Sequence, residues 1–162
     1  MEKIKTAIMG LGDTGTEILE VASGLDNYEI VAVADSDSEI AQKTAALYGC
    51  ADYDDYRLLV TENQLDCVIF DSGIHRCYEY VKTAMNRGFN VIKTAPPARN
   101  FEEISQLTQL AGKNDVSFIT IKPSRFRQSF ETFHEFLSGS QQSAPFLIRA
   151  YCYRANIEHP TW

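Results

Sequence analysis

No stretch of this chain approaches the ~20 consecutive apolar residues that a membrane-spanning helix needs. No run of Lys or Arg occurs either: 15 basic residues stand against 22 acidic ones, for a formal net charge of −7. The first absence excludes a spanning helix. The second argues against a broad nucleic-acid footprint and leaves the excess acid to solubility. Only four cysteines are present, Cys50, Cys67, Cys77 and Cys152, and no two form a C-x-x-C pair. That spacing suits neither a disulfide framework nor a zinc site. Reduced, mostly structural thiols in a cytoplasmic protein are the expectation, with Cys67 acting as a small hydrophobe inside an apolar run. His75, His134 and His159 lack metal-ligand spacing, so no metal is expected. No signal peptide is expected, because Met1-Glu2-Lys3-Ile4-Lys5 leads straight into a strand-like run, and the sequence holds no internal repeat or low-complexity segment.

What the chain does contain suits a globular core: 44% hydrophobic and 23% charged residues over 162 positions, enough for one domain and the beginning of another. Strand-like and helix-like patterns alternate. Apolar runs at 3–9, 29–34, 65–70, 89–93 and 116–121 read as strands. Between them, helices are expected at about 14–24, 37–48, 75–87 and 101–113, each with apolar residues three and four apart. The strand runs are apolar throughout rather than alternating, as expected when helices cover both faces of a sheet. The fold class is therefore α/β, a doubly wound parallel sheet of the Rossmann type. Beyond Pro123 the pattern changes. Phe126, Phe130, Phe133 and Leu137 form a helical stripe, and residues 145–153 read as a strand. The expected organisation is a nucleotide-binding domain over 1–122 and the start of a second α/β domain over 123–162.

The first strand enters Gly10-Leu11-Gly12-Asp13-Thr14-Gly15, and the second stops on Asp35. Three glycines between strand and helix, with an acid ending the next strand, form a dinucleotide-binding fingerprint. Gly10 makes the tight turn, Gly12 lets backbone N–H groups approach a pyrophosphate, and Gly15 permits close helix–strand packing. Asp35 accepts hydrogen bonds from the adenosine ribose and, by charge, favours NAD over NADP. S-adenosylmethionine sites share parts of this geometry, so nicotinamide is favoured rather than proved. Asp13 is expected to cap the helix, since a carboxylate facing a pyrophosphate would be repelled. Thr14 has two readings, a phosphate ligand or a plain first-turn residue. Ser36 and Asp37 read as the turn and cap of the second helix, with Ser36 also placed to touch the cofactor.

Ligands in open α/β sheets lie outside the carboxyl ends of the strands. Ser72 and His75 follow the third apolar run there, and Lys93 ends the fourth. A desolvated Lys93 could polarise a carbonyl or move a proton; the alternative is a solvated strand-end lysine. His75 invites an acid–base role, against an ordinary structural or exposed loop histidine.

These features together resemble the glucose–fructose oxidoreductase and inositol dehydrogenase (Gfo/Idh/MocA) family. The resemblance runs through Gly10-Leu-Gly-Asp-Thr-Gly15, Val33-Ala-Asp35, Tyr53-Asp-Asp-Tyr56, Asp66-Cys-Val-Ile-Phe70, Ala84-Met-Asn-Arg-Gly88 and the Arg125-Phe-Arg127 segment. It implies an NAD(P)-dependent oxidoreductase acting on sugars or polyols, with a C-terminal domain completing the substrate site. Three departures stand out. The family's Glu-Lys-Pro is Thr94-Ala95-Pro96 here, so its catalytic lysine falls on Ala95; Lys93 lies roughly 6–7 Å earlier along the strand on the same face. Ser72-Gly73 replaces a Thr-Pro, and the histidine that usually follows aligns with Cys77. The chain stops at Trp162, before the family's later Asp and His residues. The expectation is the NAD-binding domain of such an oxidoreductase, with a small-molecule substrate, no nucleic-acid or membrane partner, and self-association as a homo-oligomer. A non-catalytic nucleotide-sensing module is the alternative.

Overall fold

The computed structural model describes residues 2–71 and 74–139, with the backbone alone described at 74–76 and 124. The chain divides into two compact units, Met1–Ser124 and Arg125–Trp162.

The first unit alternates strands and helices: β1 (Ile4–Met9), α1 (Asp13–Ser23), β2 (Tyr28–Ala34), α2 (Ser38–Tyr48), β3 (Ala51–Tyr53), α3 (Tyr56–Glu62), β4 (Cys67–Phe70), α4 (Ile74–Asn86), β5 (Asn90–Thr94), α5 (Phe101–Asn114) and β6 (Phe118–Ile121). The strands form one six-stranded sheet in the order β3-β2-β1-β4-β5-β6, and every pairing is parallel. This is the doubly wound Rossmann arrangement. The strand order reverses between β1 and β4, which opens a crevice at their carboxyl ends.

Period-two alternation explains the two covered faces. Ala7 and Met9 of β1 join one core with Val68 and Phe70 of β4, closed by Leu59 and Val60 of α3, Val81 and Met85 of α4, and Leu107 of α5. Ile8, Val33 and Ile69 point the other way, onto Leu19 of α1 and Ala45 of α2. Each large apolar side chain fully buried in these layers stabilises the fold by about 1.5–3 kcal/mol relative to exposure.

One pair of elements was not foreseen. The stretch between α2 and β4 holds β3 and α3, where Asp55 caps α3 by accepting the Arg57 N–H at 2.8 Å. The three residues of β3, Ala51-Asp52-Tyr53, give too short a run to show strand periodicity. The second unit contributes one described element, α6 (Gln128–Gly139), which buries none of its residues. Phe126 precedes it in a 3-10 turn over Pro123–Phe126, so the expected aromatic stripe starts one element early. The expected strand at 145–153 lies outside the described residues, as do Cys152 and His159.

Candidate functional site

The Gly10–Gly15 turn sits at the reversal point, and its three glycines do different work. Gly10 leaves β1 with φ at +89°, a conformation that strains any residue with a Cβ. Its N–H donates to Ala34 O at 2.8 Å, which joins the turn to the end of β2. Gly15 is fixed by contact instead: a Cβ there would stand 1.9 Å from the Gly10 carbonyl oxygen. Gly12 is bound by neither constraint. Its φ of −67° is open to any residue, and an added Cβ would meet nothing within 4 Å. The protein itself gives no reason for a glycine at position 12; the space before that backbone is empty, at the end of a helix whose first N–H groups lack intrahelical partners.

Asp13 is a correction. Gly12, not Asp13, occupies the N-cap position of α1, and no side chain caps it. With extended backbone already supplied by Gly12, Asp13 becomes the first helical residue, where its carboxylate acts only through the helix dipole. Thr14 lies half-buried in the same first turn. Leu11 is buried, and its N–H donates to Asp35 Oδ2 at 2.7 Å. Asp35 Oδ1 accepts the Asp37 N–H at 3.0 Å, with the Ser36 hydroxyl at 3.5 Å. One carboxylate thus connects the glycine turn to the start of α2, where Asp37 caps by accepting from Glu39 N and Ile40 N.

Beyond Asp35, a cleft of about 430 Å³ is lined by Ser36, Asp54, Asp55, Tyr56, Arg57 and Tyr80. Tyr56 and Tyr80 meet edge to face, with centroids 5.6 Å apart. Arg57 is committed to Asp55, its Nη2 donating to Oδ2 at 2.6 Å, and this pairing holds the Asp55 carboxyl below its ordinary range.

On the other side of the reversal point lies a group that the sequence left unmarked. Asp71 follows β4 directly, half-buried, and its N–H donates to Met9 O at 2.7 Å. Its carboxylate lies under the glycine turn, Oδ2 being 3.3 Å from where a Gly15 Cβ would stand, and beside the Thr94 hydroxyl, which is also 3.3 Å from Phe70 O. Burial pushes the Asp71 carboxyl up, opposed by Thr94, by the positive charge of Lys93 and by Gly15. Lys93 is not the solvated strand-end lysine that was one of its two readings: only 2% of it is exposed. Its Nζ donates to Thr94 O at 3.2 Å. Burial depresses its pKa, while Cys77 and Asp71 nearby favour its charged form. Ala95, one residue past β5, is exposed. Ser72 and the His75 side chain lie outside the described residues. No signal in the sequence linked Asp71 to Gly15, because their proximity arises from the β1–β4 pairing.

These residues fit a dinucleotide. An open backbone stands at Gly12, free helix-start N–H groups suit a diphosphate, and a strand-end carboxylate beside a tyrosine-lined cleft suits an adenosine. Among the described residues, no group of three or more His, Cys, Asp or Glu could hold a metal ion, and no helix is long and apolar enough to cross a membrane.

The chain matches the family model of the Gfo/Idh/MocA oxidoreductases, described as an oxidoreductase family with an NAD-binding Rossmann fold, over residues 4–121. No curated protein matches it. Solved structures with the same fold include a myo-inositol 2-dehydrogenase from Lactobacillus plantarum (19% identity, TM-score 0.75, 85% of this chain and 41% of that one). A 3-ketoreductase from Actinomadura kijaniata, in complex with NADP, is 16% identical with a TM-score of 0.75 over 85% of this chain and 44% of its own. An NAD-binding protein from Listeria innocua is 23% identical with a TM-score of 0.75, over 85% and 40%. The chain spans about two fifths of the length of each.

Proposed function

Because the chain belongs to the Gfo/Idh/MocA oxidoreductase family, with its NAD-binding Rossmann fold, we propose that it binds NAD at the β1–β4 crevice and serves hydride transfer to or from a sugar- or polyol-like substrate. The observation that carries this reading is Gly12, a glycine that neither backbone conformation nor packing requires. A diphosphate laid against the first turn of α1 supplies the missing reason, since only a residue without a side chain leaves the N–H groups approachable. Gly10, Leu11, Asp13, Thr14 and Gly15 form the surround of that contact. Asp35 and Ser36 take the adenosine ribose, and Ser72 is a further cofactor contact in this reading.

NAD is preferred to NADP on charge. Asp35, Asp37, Asp54 and Asp55 gather at the adenosine end, and among the residues lining the cleft the one guanidinium, Arg57, is already paired with Asp55. A 2′-phosphate would meet carboxylates and find no uncommitted cation among those lining residues. The bound cofactor supplies the hydride chemistry. For the proton that must accompany hydride transfer, Lys93 is the first candidate and His75 the second. Desolvation of Lys93 lowers its pKa from the ordinary lysine value, towards the range where a lysine exchanges protons. The substrate is a small molecule, and the whole protein acts in the cytoplasm, as a homo-oligomer.

The test is titration with NADH and NADPH, followed by the fluorescence of the reduced nicotinamide. Wild type is expected to bind NADH in the micromolar to low-millimolar range and NADPH more weakly. Asp35→Ala should lose that preference along with affinity for NADH. Absence of binding to both cofactors would remove the assignment.

A further inference from the structure

We infer that Asp71 is a specificity-determining residue of the cofactor cleft: its carboxylate, lodged against the first turn of α1, opposes any ligand that brings a diphosphate to that turn. The inference rests on the reading above, in which a dinucleotide lays its diphosphate at the start of α1. Asp71 comes directly after β4, at the point where the strand order reverses. The bond from its N–H to Met9 O draws the end of β4 against the end of β1, beside the entry to Gly10. From there the side chain turns under the glycine turn. Its Oδ2 lies 3.3 Å from the place a Gly15 Cβ would occupy, close enough for the Gly15 N–H to favour the charged carboxylate.

Gly15 is the third residue of α1, so its N–H is one of the donors that a helix start leaves unpaired. A helix start attracts negative charge, and here the chain supplies that charge from within. A diphosphate approaching Gly12 from the solvent side therefore meets a helix end already partly neutralised, with a like charge behind it. The surrounding groups moderate this opposition without cancelling it. Lys93 on β5 attracts the Asp71 carboxylate, whereas Glu17 on α1 repels it. Cys77 on α4 faces Lys93, and the exposed Asp13 adds a further acid to the same turn. Asp71 thus lowers affinity for the diphosphate relative to a neutral residue of the same shape, and does so without touching the adenosine end.

A purely structural role and this charge role predict opposite results. Asp71→Asn keeps an oxygen for the Gly15 N–H and the Thr94 hydroxyl while removing the charge. The full chain, wild type and Asp71→Asn, is titrated calorimetrically with ADP-ribose and with adenosine, at low and at high salt. The variant is expected to bind ADP-ribose roughly fivefold tighter at low salt, with the gain shrinking at high salt as the charges are screened, and adenosine unchanged. Asp71→Ser, also neutral, is expected to behave alike and gives the same measurement should the Asn variant not fold. Unchanged or weaker ADP-ribose binding, or a change shared equally by adenosine, overturns the inference and leaves dinucleotide binding standing. If neither wild type nor variant binds ADP-ribose or NADH, the dinucleotide reading fails and this inference fails with it.

Discussion

Replacing Gly15 by Ala should damage the fold, while the same change at Gly12 should damage only the cofactor site. At position 15 the new methyl would stand 1.9 Å from the Gly10 carbonyl oxygen and 2.9 Å from its carbon. Ordinary contact begins near 3.4 Å, so α1 and the end of β1 would have to separate by about 1.5 Å. Both obstacles are backbone, and Gly10 is itself held by its bond to Ala34 O. Overpacking typically costs about 1–3 kcal/mol and occasionally more; because both obstacles are backbone, Gly15 falls above that range, at about 4 kcal/mol. Alanine's better helix propensity returns about 1 kcal/mol. The net destabilisation is then about 3 kcal/mol, which for a unit running from Met1 to Ser124 lowers the melting temperature by roughly 10 °C. Gly12→Ala meets no atom and no forbidden φ, so its stability should stay within about 0.5 kcal/mol of wild type. Its NADH affinity should nevertheless fall by roughly tenfold or more, the effect of about 1.4 kcal/mol of steric opposition to the diphosphate. Gly112, inside α5 with open space around it, is the control: Gly112→Ala should stabilise by about 0.5–1 kcal/mol. Thermal melts and NADH titrations of the three variants decide the matter. A Gly15→Ala protein melting within about two degrees of wild type would refute the packing argument. A Gly12→Ala protein that binds NADH as wild type does would refute the role given to the open backbone.

Asp37→Ala removes the acceptor of the Glu39 and Ile40 N–H groups and should cost about 1 kcal/mol in chemical denaturation; no change would mean that solvent caps α2 equally well. Cys67 offers a pH test. Burial pushes its thiol up to about 11 from the ordinary 9.0, so below pH 9 it is neutral in both folded and unfolded chains and has no effect. Between pH 9 and 11 only the unfolded chain releases the proton, and stability falls by about 1.4 kcal/mol per pH unit. Cys67→Ala should be less stable at pH 7 yet flatter across that alkaline window, a difference read by urea denaturation at several pH values; parallel curves would show that the thiol is not held back.

The fold was readable because its strands announce themselves. β1, β2 and β4 are apolar on both faces, and the glycine turn fixes which strand comes first in the crossover. Local chemistry was also legible where it concerned neighbours in sequence, as with Asp37 and the helix it caps. The sequence was silent where proximity is tertiary. Nothing in Phe70-Asp71 announces that the carboxylate will lie under Gly15, since this depends on β4 pairing beside β1. Lys93 was ambiguous for the same reason: its burial comes from β4, β6 and the overlying helix, not from its own strand. Asp13 was misassigned because capping preference is a statement about position, and the N-cap position shifts by one residue when a glycine supplies the extended backbone. β3 escaped because three residues cannot display a period, and α3 because its seven residues make only about two turns.

Asp35 gives its two oxygens to two amides, Leu11 on one side and Asp37 on the other. The acid is therefore aimed before any guest arrives, and little freedom remains to be lost when one does. A hydroxyl leaning on that carboxylate must share it with both amides at once. The phosphate turn and the second helix would then register a sugar together, through this side chain and the strand it ends.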